Sequence, residues 1–461
     1  MMEIKKNSLF TLKIENVAYG GRGIGRWEGV VVFVPFAVPG DVVEARLVKN
    51  KGNYIEADLV QVLEPSPIRI APRCPYFGPC GGCSWQTIPY ENQLFLKQEI
   101  ARSSVEHLSG QSQFKLHPII ASPDIWRYRN KMDYTFGADA DGLPLLGFHA
   151  KGSFTDVLDM EICHLQPEIF DLILKEVRAF AREKNLVPYN PVTHKGLLRH
   201  FMLRAARNLS EGVPMPVLAV LLTAEPDLPF REELLERLRR VCPSLIGFMH
   251  GLNQGMGDVF RLDRLLFQWG DDCLTERLED LNMRISALSF FQTNTRGAEL
   301  LYRSARDFLN LNGAENLLDA YCGAGSIGLF CARRCLHVYG IDIVREAIWD
   351  ARENARQNGI HNATFLCGEM CRSLPLLLSR IPFGVQRAAV DPPSNGLDKK
   401  SLRQIIELGA PILVYVSCNP VTMARDAQAI CESGYRITDI QPVDMFPHTY
   451  HIEIISRFEK I

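Results

Sequence analysis

Long apolar runs and an excess of one charge are both missing from this 461-residue chain. No stretch of about 18 uninterrupted apolar residues occurs, so the sequence predicts no helix that spans a membrane. The N-terminal residues also lack the apolar core and the small-residue cleavage site of a secretory signal peptide. Lysine plus arginine (51) nearly balance aspartate plus glutamate (53), so any surface that binds a polyanion must be a local patch. We therefore expect a cytoplasmic protein that does not associate with membranes.

The cysteine content is consistent with the same compartment. The chain has 13 cysteines, an odd number, and contains no internal repeat or low-complexity tract. Under reducing conditions such thiols stay free, bind metals or act in catalysis rather than form disulfides. The oligomeric state is not specified by these patterns, and a monomer is the working expectation.

Three regions differ in their patterns of apolar residues. Residues 1–65 contain short β-rich runs separated by glycine turns, which predicts a small β-barrel. Residues 66–289 begin with a proline-rich linker and mix helical with strand patterns, which predicts an α+β domain. In residues 290–461, strand patterns alternate with helical ones. This predicts an α/β domain with a mostly parallel sheet covered on both faces.

Individual elements follow from the same periodicities. In the middle region we expect helices at 93–108 and 167–185, and strands at 202–206 and 215–222. The strands expected in the last region are 316–320, 338–342, 364–367, 387–391 and 412–417.

A glycine-rich turn follows the first strand of the last region. Gly323, Gly325 and Gly328 lie between that strand and a helix, where the backbone can approach a ligand closely. The second strand ends at Asp342, whose carboxylate can accept hydrogen bonds from ribose hydroxyls. The glycine spacing alone also fits a dinucleotide site or a purely structural turn. The sequence Asp391-Pro392-Pro393 in the same crevice favours a methyltransferase, because such a turn can hold the group that is methylated.

Cys418 follows the last predicted parallel strand, at the edge of the sheet where ligands bind. A buried structural cysteine is the alternative. A thiolate in this position can add to C6 of a uracil ring and make C5 nucleophilic, after which a base must remove the C5 proton. Glu453, within the apolar run 452–455, is the candidate base, and a solvent-facing position on an edge strand is its alternative. His448 and His451 are rival bases.

These residues occur in motifs that resemble those of the RNA uracil-5-methyltransferases, specifically the iron–sulfur branch that modifies 23S ribosomal RNA. The matching motifs are Phe290-Phe291-Gln292-Thr293-Asn294, LLDAYCGAGSIGL from residue 317, DPP from 391, SCNPVTMARD from 417 and DMFPHTYHIE from 444. The resemblance implies a Rossmann-like domain that binds S-adenosylmethionine, with Cys418 as nucleophile and Glu453 as general base. It assigns six residues to the methyl-donor site: Gln292, Tyr321, Ser326, Asp342, Glu369 and Asp391.

The resemblance extends to the first two regions. Four cysteines match those that hold a [4Fe–4S] cluster in the family, namely Cys74, Cys80, Cys83 and Cys163. The spacing alone does not distinguish the cluster from a tetrahedral zinc site, and unlinked thiols are the remaining alternative. Residues 1–65 resemble a TRAM domain, an OB-like barrel that binds RNA. Together the barrel and the cysteines imply 23S ribosomal RNA as substrate, at a uridine of the position-1939 type.

One position departs from the family pattern. Ser394 follows the Asp-Pro-Pro turn, where the family commonly has arginine. The missing guanidinium could weaken a contact with RNA, but neither the nucleophile nor the base is lost.

Three groups of basic residues are candidates for RNA contact. They are 126–131, in which cations alternate with aromatic residues, 194–200 with Arg204 and Arg207, and Arg46, Lys49 and Lys51 on the barrel. Each group could instead be a solvated charged face. In any complex, the target base must leave its stack to reach an enclosed thiol.

Other functions remain compatible with these motifs. The same chemistry could act on another ribosomal uridine or on the uridine of the transfer-RNA T-loop. A methyltransferase acting on an adenine nitrogen would not need Cys418, and a catalytically inert RNA-binding homologue would keep only the fold. A dehydrogenase would use the glycine turn for a nicotinamide cofactor.

Overall fold

A closed barrel forms the N-terminal part of the chain. The structure, a computed structural model, describes residues 6–207, 212–382 and 384–461, so residues 1–5 of the predicted barrel region lie outside the described residues. The barrel strands are β1 (Leu9–Val17), β2 (Arg22–Trp27), β3 (Val30–Pro35), β4 (Val42–Asn50) and β5 (Tyr54–Glu64). They close in the order β1-β2-β3-β5-β4. Alternate residues such as Ile14, Val32 and Val43 fill the interior, which is the pattern expected of a small barrel.

The chain then forms helix α1 (Tyr90–Ser109) and the short strand β6 (Lys115–Leu116). A seven-stranded, mostly antiparallel sheet follows, in the order β13-β12-β11-β10-β7-β8-β9. Helices α2 and α3 contribute to the same apolar core as its strands. The elements are β7 (Lys131–Ala138), β8 (Pro144–His149), β9 (Val157–Asp159), α2 (Glu168–Glu183), β10 (Leu198–Ala205), β11 (Val217–Thr223), α3 (Arg231–Val241), β12 (Leu245–Leu252) and β13 (Arg264–Gly270).

A hairpin of β14 (Cys273–Leu278) and β15 (Leu281–Ser286) leads into the α/β region. The elements of that region are α4 (Thr295–Leu309), β16 (Asn316–Ala320), α5 (Ser326–Cys331), β17 (His337–Asp342), α6 (Arg345–Gln357), β18 (Ala363–Cys367), α7 (Met370–Leu378), β19 (Arg387–Val390), α8 (Lys399–Leu408), β20 (Ile412–Ser417), α9 (Pro420–Glu432), β21 (Tyr435–Val443) and β22 (Glu453–Lys460). The predicted strands and helices are present, with shifts of a few residues at their ends.

The α/β region is built on an eight-stranded sheet in the order β18-β17-β16-β19-β20-β22-β21-β6. The first five strands are parallel, and β22 is antiparallel to both β20 and β21. Leu317 and Leu318 are fully buried in cores on opposite faces of the sheet, which explains the continuous apolar pattern of its strands. The order in which strands are added reverses at β16, with β17 and β18 on one side of it and β19 and β20 on the other, and the crevice at such a switch point is where ligands bind in this class of fold.

Two elements from the predicted middle region belong to this sheet by their contacts. Strand β6 pairs with β21, and α1 places Ala101 and Val105 in the core beneath it. The ion pair between Lys97 of α1 and Asp444, at 2.6 Å and fully buried, joins the same surfaces. The domain limits 1–65, 66–289 and 290–461 remain predictions, and residues 90–116 pack with the third of these regions. Among the described residues, no helix is long and apolar enough to cross a membrane.

Candidate active site

The predicted site residues converge at one edge of the parallel strands. Tyr321 follows β16, Asp342 ends β17, Asp391 follows β19 and Cys418 follows β20. The strand registers align these ends, since Ala320 of β16 pairs with residues at the ends of both β17 and β19. The side chains predicted for a methyl-donor site and for catalysis therefore share one edge.

The glycine turn lies directly beside Asp342. The carboxylate of Asp342 accepts hydrogen bonds from the Gly323 amide at 2.9 Å and the Val344 amide at 2.8 Å. Gly325 has a φ of 81°, and a Cβ added there would lie 3.0 Å from the ring of Phe365. A Cβ added at Gly323 would meet no atom within 4 Å, so the space beside this turn is open. The turn and its carboxylate can thus hold a nucleoside with ribose hydroxyls.

The other predicted methyl-donor residues have more varied surroundings. Ser326 begins α5 and hydrogen-bonds with the Tyr302 hydroxyl. Gln292 is buried, and its main-chain carbonyl accepts a hydrogen bond from Asn130 at 2.9 Å. Tyr321 has a φ of 64°, and its hydroxyl hydrogen-bonds with a serine of α8.

Glu369 precedes α7 and forms an ion pair with Arg372 at 3.0 Å, with nearly half of its side chain exposed. It lies near the sheet edge, just beyond β18, but its carboxylate is directed to a surface partner. Its assignment to the methyl-donor site stays a prediction.

Cys418 and Glu453 lie at adjoining ends of two antiparallel strands. Ser417, the last residue of β20, pairs with Ile454 of β22, so Cys418 directly after β20 lies close to Glu453, the first residue of β22. Glu453 is 3% exposed, and burial, with the nearby carboxyl of Asp391, raises its pKa well above the ordinary value. Burial raises the pKa of Asp391 to about 7. Burial and the two carboxyls raise the pKa of the Cys418 thiol to about 12. Near neutral pH, the Cys418 thiol is therefore protonated in the free protein.

Residues of the segment after Cys418 tie its loop to the Asp-Pro-Pro turn. Asn419 caps α9, and its side-chain amide donates to the Ser394 carbonyl at 3.1 Å. Thr422 donates to the same carbonyl at 3.0 Å, and buried Asp426 accepts from the Leu397 amide at 2.8 Å. The contacts of Asn419 and Thr422 use the main chain of residue 394, whose side chain is exposed, and the contact of Asp426 uses that of residue 397. Replacement of the usual arginine by serine therefore leaves the loop anchors intact.

The two rival histidines are weak bases in this structure. His448 is 5% exposed, stacks on Trp126 at 3.6 Å between centroids and hydrogen-bonds through Nδ1 with Gln93 at 3.2 Å. Burial and the charge of Lys97 lower the pKa of His448 to about 4, and the same causes lower the pKa of His451 to about 4. The arrangement favours Glu453 as the proton acceptor and a packing role for His448.

Comparison with known proteins decides the family. A TRAM domain model matches residues 5–60, and a model described as tRNA (Uracil-5-)-methyltransferase matches residues 268–460. A protein of Halalkalibacterium halodurans described as an uncharacterized RNA methyltransferase is 36% identical, over 99% of this chain and 98% of its own length. A protein of Caldanaerobacter subterraneus with the same description is 37% identical over 99% of both chains. The chain belongs to the RNA uracil-5-methyltransferase family.

A solved structure supports the same fold over 97% of the chain. The tRNA (uracil-54, C5)-methyltransferase of Pyrococcus abyssi, in complex with S-adenosyl-L-homocysteine, has a TM-score of 0.75 and 26% identity, and the match covers 97% of this chain and 100% of that one. The predicted fold class is confirmed: a TRAM barrel is joined to the S-adenosylmethionine-dependent α/β fold of the family. The glycine turn belongs to a methyltransferase, not to a dehydrogenase.

The four predicted cluster ligands of this family member share one cavity. A cavity of about 590 Å³ is lined by Cys74, Cys80, Cys83 and Cys163. Burial and neighbouring thiols raise the pKa of Cys83 to about 12, and mainly burial raises that of Cys163 to about 11. Within the described ranges, however, no three His, Cys, Asp or Glu side chains are arranged as a metal site. The structure brings the thiols together without forming a closed set of ligands.

Two of the basic residues predicted to contact RNA are buried, and this part of the prediction was wrong. Arg199 is 2% exposed and donates to the main-chain carbonyls of Asn253 and Gly255. Arg204 is 3% exposed and donates to the carbonyls of Ser286 and Ser289. A buried guanidinium needs such acceptors, so both side chains stabilise loops.

The remaining basic groups have different exposures. In 126–131, Arg127 binds Asp171 at 3.0 Å, and buried Tyr128 donates to the Pro447 carbonyl at 3.1 Å. Arg129 and Lys131 line the cavity that contains the four thiols. On the barrel, the basic residues are exposed, namely Arg46, Lys49 and Lys51.

Three residues near the active site carried no signal that sequence reasoning used. Tyr19 of the barrel and Asp319 of β16 sit in segments interpreted only as turn and strand. Lys97 lies on the buried face of α1, between Leu96 and Ile100, and a lysine at an apolar helical position was a usable signal of a buried ion pair.

Proposed function

We propose that this methyltransferase transfers the methyl group of S-adenosylmethionine to C5 of a uridine in 23S ribosomal RNA, of the position-1939 type. The observation that carries the proposal is the proximity of Cys418 to Glu453 at the adjoining ends of β20 and β22, on the sheet edge that also has the open glycine turn. A thiol that adds to C6 and a carboxylate that removes the C5 proton are the two groups that C5 methylation requires. The enzyme would act in the cytoplasm, as a monomer on its RNA.

Cys418 would begin the reaction. Its thiolate sulfur forms a bond to C6 of the uracil, and the displaced electron pair makes an enolate with a nucleophilic C5. The nucleophilic C5 would then take the methyl group from S-adenosylmethionine, held by Asp342 and the glycine turn, and S-adenosylhomocysteine would leave. The Glu453 carboxylate then takes the proton from C5. As the C5–C6 double bond re-forms, the bond to sulfur breaks and Cys418 leaves as the thiolate.

The raised pKa values define what ligand binding must do. In the free protein, burial and the carboxyls of Glu453 and Asp391 raise the pKa of the Cys418 thiol, and burial and Asp391 raise the pKa of the Glu453 carboxyl. A positive charge placed beside Asp391 would stabilise the ionised forms of all three groups. The sulfonium of the methyl donor has this charge, so we infer that donor binding activates the nucleophile.

The first test is covalent trapping. RNA containing 5-fluorouridine cannot lose a proton at C5, so a protein–RNA adduct should accumulate with the methyl donor present. Cys418→Ala should abolish the adduct, whereas Cys367→Ala, an exposed cysteine at the end of β18, should not. Methylation by Cys418→Ala would instead favour a reaction on an adenine nitrogen. Absence of an adduct under conditions that support turnover would end the proposal for Cys418.

The second test identifies the RNA. Mass spectrometry should map 5-methyluridine in ribosomal and transfer RNA from cells with and without the gene. Loss of one 23S ribosomal mark is the expected result. The T-loop uridine of transfer RNA is the second candidate, because the structurally similar Pyrococcus abyssi protein is a tRNA (uracil-54, C5)-methyltransferase. Loss of a mark only in transfer RNA would establish that alternative, and no lost mark in either would favour an inert RNA-binding homologue.

We further propose that Cys74, Cys80, Cys83 and Cys163 hold a [4Fe–4S] cluster that orders the cavity and its RNA contacts. Four thiols lining one cavity support this proposal, since metal coordination would relieve the cost of their ionisation. Protein purified without oxygen should contain about four iron atoms and four acid-labile sulfides per chain. Cys83→Ser should lower both contents together. One zinc per chain and no sulfide would identify a zinc site instead.

A further inference from the structure

The turn between the first two barrel strands reaches the catalytic edge of the C-terminal sheet. Tyr19, in this turn, donates a hydrogen bond from its hydroxyl to the main-chain carbonyl of Cys418 at 3.2 Å. Its ring meets the ring of Tyr450 edge-on, with 5.7 Å between centroids. The hydrogen-bonded residues are 399 positions apart in the chain, so the contact depends on docking of the barrel.

Close packing fixes this turn against the catalytic region. Gly21 has a φ of 76°, and a Cβ added there would lie 3.0 Å from the Tyr450 side chain. The Gly21 carbonyl accepts a hydrogen bond from Trp85 Nε1 at 3.3 Å. Ser84 Oγ accepts one from the Tyr450 amide at 3.1 Å. The position of Tyr19 relative to Cys418 is therefore set by contacts on both sides of the turn.

We propose that Tyr19 is a positioning residue for the nucleophile: its hydroxyl holds the Cys418 peptide so that the thiol meets the target ring. The barrel thereby completes the active site in addition to any contact with RNA. The inference rests on the proposed function of Cys418. Asn419 anchors the following residue to the Asp-Pro-Pro turn, whereas the Tyr19 hydrogen bond acts on Cys418 itself. Burial raises the pKa of Tyr19 most, and the charges of Cys418, Tyr450 and Glu453 raise it further, which agrees with a hydroxyl beside these groups.

The test is Tyr19→Phe, which keeps the ring and removes the hydrogen bond. We expect kcat to fall about threefold to tenfold, the effect of one lost hydrogen bond, with KM for RNA and for the methyl donor unchanged within about twofold. Labelling of Cys418 by a small neutral disulfide, without RNA, should become several-fold faster because the peptide is freed. Tyr54→Phe is the matched control, since Tyr54 belongs to the same barrel and packs on Phe33 instead.

A glycine pair separates docking of the turn from strain in the barrel. Gly21 and Gly29 both have positive φ, 76° and 83°, so alanine strains both turns. A Cβ at Gly29 meets no atom within 4 Å, whereas one at Gly21 meets Tyr450. Gly21→Ala should reduce kcat at least as much as Tyr19→Phe, and Gly29→Ala should not.

The outcomes distinguish this inference from the proposed function. If Tyr19→Phe has the same kcat as the parent enzyme, with KM for RNA either unchanged or raised, the positioning role is overturned. If the parent enzyme forms no 5-methyluridine, the proposed function fails, and the labelling rates still decide the inference. Faster labelling of Cys418 in Tyr19→Phe than in Tyr54→Phe supports it, and equal rates overturn it.

Discussion

Raising the pH should increase the reactivity of Cys418 over a range in which an ordinary cysteine has already reached its limit. Burial, Glu453 and Asp391 raise its pKa to about 12 in the free enzyme. At pH 8, about one such thiol in 10,000 is ionised, against roughly a quarter for an ordinary cysteine with a pKa of about 8.5. Once ionised, the more basic Cys418 thiolate is about 40-fold more nucleophilic toward a disulfide than the thiolate of an ordinary cysteine. Cys418 should therefore react roughly 60-fold more slowly than a peptide of sequence Ser-Cys-Asn-Pro.

The assay follows the Cys418 peptide by mass spectrometry after timed exposure to 4,4′-dithiodipyridine. Its labelling rate should rise about tenfold per pH unit from pH 7 to pH 10, whereas the free peptide levels off near pH 8.5. Glu453→Gln should raise the rate at pH 8 several-fold, because it removes the larger of the two carboxyl effects. Glu459→Gln, on the exposed end of the same strand, is the control. A plateau at pH 8.5 for folded enzyme would refute the electrostatic account of the site.

Three further predictions concern the same region. Glu453→Gln should reduce turnover about 10²-fold to 10⁴-fold, and the covalent protein–RNA adduct should accumulate on unmodified RNA. A gel shift under denaturing conditions would show the adduct, whereas rapid release of RNA would contradict the role of Glu453 as base. Lys97→Met should destabilise the protein by about 3–5 kcal/mol in urea denaturation, because it leaves Asp444 buried without its cation. Adding Asp444→Asn should restore much of the lost stability, and no rescue would argue against the buried pair. Asp319→Asn should stabilise the protein by up to about 4 kcal/mol at pH 8 and little at pH 4. Burial raises the pKa of this carboxyl to about 7 in the folded state, so its ionisation costs stability as the pH rises from about 4 to 7. An equal gain at both pH values would contradict this cause.

Local patterns were sufficient to predict the elements and one edge of the active site. The parallel strands are continuous apolar runs, and residues that follow them must meet at one edge, which places Asp342, Asp391 and Cys418 together. The proximity of Cys418 to Glu453 was not determined by those patterns. It depends on insertion of β22 between β20 and β21, a tertiary choice that the spacing of apolar residues does not encode.

Burial of charged residues was the main failure of sequence reasoning. Arg199 and Arg204 lie on β10, all of whose residues are buried. Their guanidinium groups donate hydrogen bonds to main-chain carbonyls of distant loops. A cluster of cations in the sequence looks the same whether these acceptors exist or not. Tyr19 was missed for a related reason, because its partner at Cys418 is brought to it only by docking of the barrel.

The edge of the catalytic sheet has a consequence for how the protein is made. His117, just after β6, bonds to Asp439 of β21 across 322 positions of the chain. During translation, α1 and β6 emerge long before β21, the strand that they cover, so their apolar face stays unpaired until β21 has been synthesised. Synthesis of the catalytic half alone would leave β21 with unpaired backbone groups at an open margin, which favours aggregation. A productive excised fragment should therefore carry residues 90–116 as well, supplied on the same polypeptide or as a separate one.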